Sequence, residues 1–84
     1  MERKEREKII RGHLMGEGIL EKPAETVLVT EDLYAIGMDS IKLISLLVKL
    51  EEEFDMEFQA EDMTEDRMNT IEKLLDYIKE VKGN

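Results

Sequence analysis

The sequence predicts an all-α fold: a small four-helix bundle, three helices long and one short, with a long loop between the first two. Three observations lead there. Apolar residues recur at helical spacing in separate segments, most clearly Leu43, Leu46, Leu47 and Leu50, and then Ile71, Leu74, Leu75 and Ile78. The chain has 84 residues, room for one core and no second, so a single domain over 1–84 is expected. The one stretch that could pass for a strand, Val27-Leu28-Val29, has no second strand to pair with and reads as loop anchored to the core.

The elements follow in order. A first helix is expected from Glu2 to Met15, with Ile9, Ile10 and Leu14 on its apolar side, weakened by Gly12 and ended by Gly16 and Gly18. Residues 16–39, containing Pro23 and Gly37, form a long structureless connection, unusual in a small domain and often functional. The second helix starts at Asp39 or Ser40 and ends near Phe54, with Asp39 as its N-cap. A short turn is expected at Thr64 to Met68, capped by Thr64. The last helix carries Ile71, Leu74, Leu75, Ile78 and Val81 at helical period; Asn69 and Glu72 have capping-box spacing, and Gly83 ends it.

Composition narrows the function classes. Hydrophobic residues make up 42% and charged ones 39%, too apolar for a disordered acidic chain. The net charge is −9, which would repel a phosphate backbone, so no nucleic-acid partner is expected. Residues 51–66 hold nine acids and no base, and the other twelve acids match the twelve bases, so this block carries the whole net charge. It is either a solvated helix end or a patch that attracts basic partners. With no cysteine and a single histidine (His13) there is no disulfide, no thiol nucleophile, no zinc site and no Ser–His–Asp triad. The charged opening MERKEREK, with no long apolar run after it, argues against a signal peptide or membrane span, so a cytoplasmic monomer is expected.

The second helix is apolar on two sides. At about 100° per residue, Leu43, Leu46, Leu47, Leu50 and Phe54 share one sector, while Ile41, Ile44 and Val48 lie roughly 135° away. The second sector is either covered by the long loop or exposed as a docking strip beside Glu51 and Glu52. The docking reading is preferred, because so short a chain has few elements to cover both and exposed apolar patches mark interaction sites. Tyr34, Tyr77 and His13 read as packing residues, and Met38, Met56, Met63 and Met68 as a soft part of the core.

The segment Ile36-Gly37-Met38-Asp39-Ser40-Ile41, followed by a helix ending LEEEFDMEF, resembles the acyl and peptidyl carrier proteins, whose pattern is Gly-x-Asp-Ser-Leu or a close variant. The Asp32-Leu33 pair and the closing TIEKLLDYIKEV extend the likeness over nearly the whole chain. The resemblance implies an acyl-carrier-type bundle that is not an enzyme. Ser40 would bear a covalent 4′-phosphopantetheine arm from coenzyme A, with Asp39 as motif and cap residue and no metal site. A helix N-terminus suits a phosphodiester there. No base stands near Ser40 in sequence, so a separate phosphopantetheinyl transferase must attach the arm. Acyl- or aminoacyl-loading and elongating enzymes would then dock on Ile41, Ile44, Val48, Glu51 and Glu52.

Carriers of primary fatty-acid synthesis usually have acids two and five residues after the modified serine, where this chain has Lys42 and Ser45, with Lys49 a further base. That favours a specialised aminoacyl, peptidyl or polyketide-type pathway. The alternatives are a carrier of fatty-acid synthesis or an unmodified helical interaction module.

Overall fold

The computed structural model describes residues 1–16 and 18–83. Helix α1 spans Arg3–Gly16, α2 Ser40–Phe54, α3 Glu65–Met68 and α4 Ile71–Lys82. Three short 3-10 turns, Ala24–Thr26, Leu33–Ile36 and Ala60–Asp62, complete the regular structure, and no strand occurs among the described residues. Among the described residues the fold is an all-α bundle of four helices, three long and one short, as expected.

The core is built mainly by α1, α2 and α4. Ile10 and Leu14 of α1, five residues of α2 and Ile71, Leu74, Leu75 and Ile78 of α4 close around one another, with Met38, Met56, Phe58 and Met68 filling the ends. The buried side of α1 also takes in Arg6, which the apolar pattern gave no reason to place there. Its Nη1 donates to the Gly83 carbonyl at 2.8 Å, satisfying a backbone acceptor at the C-terminal end of α4. Gly12 does not interrupt α1. At the far end of this helix His13 Nε2 lies 2.9 Å from Glu53 Oε1, tying α1 to the end of α2.

The long connection has more structure than its composition indicated. It contains two of the 3-10 turns and is stitched to the helices through its backbone. Arg11 of α1 donates Nη1 to the carbonyls of Ala24 and Val27, the latter at 2.7 Å, while Glu7 holds its Nε at 3.0 Å. The Glu72 amide donates to the Val29 carbonyl at 2.9 Å, and the Leu33 amide to the Asn69 carbonyl at 2.8 Å. Ala24, Val27 and Leu33 are buried, so the loop is anchored to the core, but Leu28 is 68% exposed and takes no part in the anchor.

Three local readings need correction. The N-cap of α4 is Thr70, whose hydroxyl accepts the Lys73 amide at 3.0 Å, and not an Asn69–Glu72 box. Asn69 is drawn off by the loop instead, and the Glu72 amide is satisfied by Val29, so the helix starts one residue later. Thr64 caps α3 by position only: its hydroxyl bonds the Asp66 carboxylate, holding that acid below its usual range, rather than a backbone amide. Val81 is half exposed, because it sits in the last turn of α4, about 70° from the centre of the buried stripe.

Candidate functional site

Ser40 is the first residue of α2 and is exposed. Asp39 before it is extended (φ −143°, ψ 177°), and its Oδ1 accepts the Lys42 amide at 2.8 Å while its carbonyl accepts the Leu43 amide at 2.8 Å. This is the N-cap geometry that the Asp-Ser order predicts. The N–H groups of Ser40 and Ile41 have no intrahelical acceptor. No acid occupies the first turn of the helix.

The turn leading into Ser40 is held rigidly. Gly37 has φ of 124°, and a Cβ there would lie 2.7 Å from the Ile19 carbonyl oxygen, so glycine is required by conformation and by space. The Met38 amide donates to the Leu33 carbonyl at 3.0 Å, and the Glu21 amide to that of Ile36 at 2.8 Å. Lys42 reaches back along the helix to place Nζ 3.2 Å from the Gly37 carbonyl. The serine is therefore presented by a fixed cap and a fixed turn, at an exposed position.

This arrangement fits a phosphodiester on Ser40. The serine is exposed, the helix end favours an anion, and the cap carboxylate is already engaged by a backbone amide. It does not equip the serine as a nucleophile in its own right. The histidine is held by Glu53 near the other end of α2. Among the described residues, no group of three or more His, Asp or Glu side chains could hold a metal ion, and no helix is long and apolar enough to cross a membrane.

The second apolar sector of α2 lies open. Ile41 is 83% exposed, Ile44 50% and Val48 45%, and the long loop does not cover them. By helical rotation Glu52 shares their side, and it too is exposed. Glu51 differs: it is half-buried, and its Oε2 accepts the Phe58 amide at 2.8 Å, so its carboxylate helps turn the chain after α2. Asp62 is likewise committed, to Arg67 at 2.8 Å and to the Tyr77 hydroxyl at 2.9 Å. The acidic block is thus part surface charge and part scaffold.

One residue of the site escapes the sequence reading. Tyr34, on the turn Leu33–Ile36, packs half-buried on the core, as expected of it, and the Ser40 hydroxyl is among the groups that act on its phenol. Burial pushes this phenol above its ordinary range; the Ser40 hydrogen bond pulls the other way, and Glu65, Asp39 and Asp32 add to the rise. Tyr77 is raised as well, by burial first, and stacks on Phe58 with ring centroids 5.0 Å apart, a packing role.

Residues 17–78 match the family described as the phosphopantetheine attachment site. An acyl carrier protein of Buchnera aphidicola (subspecies Schizaphis graminum) is 40% identical over 43 residues, and the chain spans about half the length of such acyl carrier relatives (52% of this one). An aminoacyl carrier protein of Agrobacterium fabrum is 33% identical over 70 residues, covering 83% of this chain and 84% of its own. Among solved structures, a chain superposes with a TM-score of 0.79 at 32% identity, covering 87% of this chain and 95% of its own. It belongs to a crystal structure of an engineered Bradyrhizobium japonicum glycine:[carrier protein] ligase complexed with a carrier protein from Agrobacterium tumefaciens and ATP. The bundle, the capped serine and these similarities agree, and the chain belongs to the phosphopantetheine-attachment family of carrier proteins.

Proposed function

We propose that residues 1–84 form one carrier domain, not itself a catalyst, that bears 4′-phosphopantetheine on Ser40 and presents aminoacyl groups as thioesters to partner enzymes. The observation that carries the reading is the exposed Ser40 at the capped start of α2, with the open strip Ile41, Ile44 and Val48 running away from it. Attachment forms a bond from Ser40 Oγ to the phosphorus of coenzyme A that bears pantetheine and breaks the phosphoanhydride. Adenosine 3′,5′-bisphosphate leaves, and the hydroxyl proton goes to a base on the transferase. The arm supplies the thiol that this cysteine-free chain lacks.

The choice of an aminoacyl cargo over housekeeping fatty-acid synthesis is supported by the likeness to an aminoacyl carrier over most of both chains. A carrier found with a glycine-activating ligase supports it further. Lys42 and Ser45 at exposed positions on α2, where a fatty-acid carrier has acids, point the same way. Loading enzymes would approach along Ile41, Ile44, Val48 and Glu52, with Glu51 contributing through the turn it holds.

Incubating the chain with coenzyme A, Mg²⁺ and a broad-specificity phosphopantetheinyl transferase should add one arm, found by mass spectrometry on the Ser40 peptide and absent from folded Ser40→Ala. The loaded chain should then accept glycine or a related small amino acid from such a ligase and ATP. No arm with several transferases would favour an unmodified interaction module. Efficient fatty-acid elongation on the loaded chain would remove the aminoacyl assignment.

A further inference from the structure

The long helices carry their charges in two ways. In α1 and α4 the charges follow the helix dipole: Glu5 and Glu72 stand in the first turns, and His13, Lys79 and Lys82 in the last. In α2 they run against it. The first turn holds Lys42 and no acid, and the last turn holds Glu51, Glu52 and Glu53 and no base. Positions two apart on a helix do not face each other. Lys42 nevertheless runs back toward the end where Ser40 sits, and its Nζ lies 3.2 Å from the carbonyl oxygen of Gly37, three residues before the serine. Its partner there is neutral. The Asp39 carboxylate accepts the Lys42 amide, Glu21 crosses the same turn without pairing, and the exposed Lys42 ammonium forms no ion pair among the described residues. An ammonium and the N–H groups of a helix start therefore share one end of α2, an arrangement that destabilises the unmodified chain and is relieved by an anion placed there.

We propose that Lys42 is a positioning residue for the arm: once 4′-phosphopantetheine is on Ser40, the ammonium leaves the Gly37 carbonyl and pairs with a phosphodiester oxygen. The inference rests on Ser40 being the attachment site. The exchange replaces a hydrogen bond to a neutral oxygen by one to an anion, which is the stronger kind. It needs only rotation of an exposed, flexible side chain. By helical rotation Lys42 lies about 130° from the centre of the strip Ile41, Ile44 and Val48. The pairing therefore draws the root of the arm toward the Gly37 turn and leaves the strip clear for a docking enzyme.

The test is thermal unfolding of the wild-type chain, Lys42→Met and Lys42→Arg, each without the arm and with it, occupancy being checked by mass spectrometry. At low salt the arm should raise the midpoint of wild type and Lys42→Arg by about 3 °C more than that of Lys42→Met. About 0.5 M sodium chloride should remove most of that difference. A lysine that merely stapled the turn would leave Lys42→Met less stable by the same amount in both forms. A second route needs no transferase: Ser40→Asp puts a carboxylate at the same place, and it should raise the midpoint more in the Lys42 chain than in Lys42→Met. Equal gains with and without the lysine, by either route, would overturn the inference and leave the carrier reading standing. A wild-type chain that takes no arm from several transferases would overturn the carrier reading itself, and this inference with it.

Discussion

On one side of α2, Leu43, Leu46, Leu47, Leu50 and Phe54 are closed off from water; on the other, Ile41, Ile44 and Val48 remain at the surface. The residue types are alike, so side-chain hydrophobicity did not decide between them. What decided was where the neighbours are fastened. The long loop is the one element with the length to wrap the outer side, and its anchors pull it elsewhere: Ala24 and Val27 to Arg11 on α1, Val29 and Leu33 to the start of α4. An amphipathic pattern reports which faces could be buried, and tertiary anchoring selects which are.

The largest effect that would test this contrast is in the closed sector. Leu46 is fully buried, and Leu46→Ala should cost about 2–5 kcal/mol, much of a small domain's stability, measured by denaturant unfolding. A loss below about 1 kcal/mol would mean that this sector is not the core. Next comes the anchor. Arg11→Met keeps an apolar stem but removes charge-assisted bonds to two carbonyls. It should cost about 2 kcal/mol and speed amide exchange in residues 24–33. An unchanged exchange pattern would show that Arg11 does not hold the loop.

In the open sector the expected effects on stability are smaller. Ile44→Ala and Val48→Ala should each change unfolding free energy by only about 0.5 kcal/mol. They should nevertheless weaken loading by a ligase, because exposed apolar anchors dominate interface energy when they are used. A large loss of stability with normal loading of the folded fraction would make this sector a second core face and abolish the contrast. The smallest effect concerns the loop's own ion pair. Lys22 Nζ lies 2.7 Å from Glu31 Oε2, and Glu31 Oε1 accepts the Leu28 amide at 3.0 Å. The ammonium first, and then the amide, hold the Glu31 carboxyl below its ordinary value of 4.5. A carboxyl so lowered stabilises the fold above the unfolded value and loses that contribution as pH falls through the folded one. Glu31→Gln should therefore flatten the decline in stability below about pH 4.5 and change little at pH 7. Asp66 supplies a residual slope of the same sign.

Much of the fold was legible because its signals are local. The Asp39 cap and the leucine spacing of α2 are read off a few consecutive residues, and α2 runs from Ser40 to Phe54 as that spacing requires. The Met residues at positions 38, 56 and 68 are core, as their softness and setting indicate, while Met63 is only partly buried against it. The misreadings share a different cause. Asn69 looks like a cap until the loop takes its carbonyl and amide, and Glu51 looks like free charge until the Phe58 amide reaches it. Each depends on a backbone group brought in by another segment.

The sequence by itself determined that the chain is helical, that Ser40 opens the second helix behind an acidic cap, and that this helix has more apolar surface than one core face needs. Those properties follow from helical periodicity and from hydrogen bonds that close within one turn. Only the tertiary structure decided that Ile41, Ile44 and Val48 stay open, that Thr70 begins the last helix, and that Glu51 holds the Phe58 amide. These outcomes rest on polar groups far apart in the chain competing for the same partners, and such a competition is resolved only when the whole chain has packed.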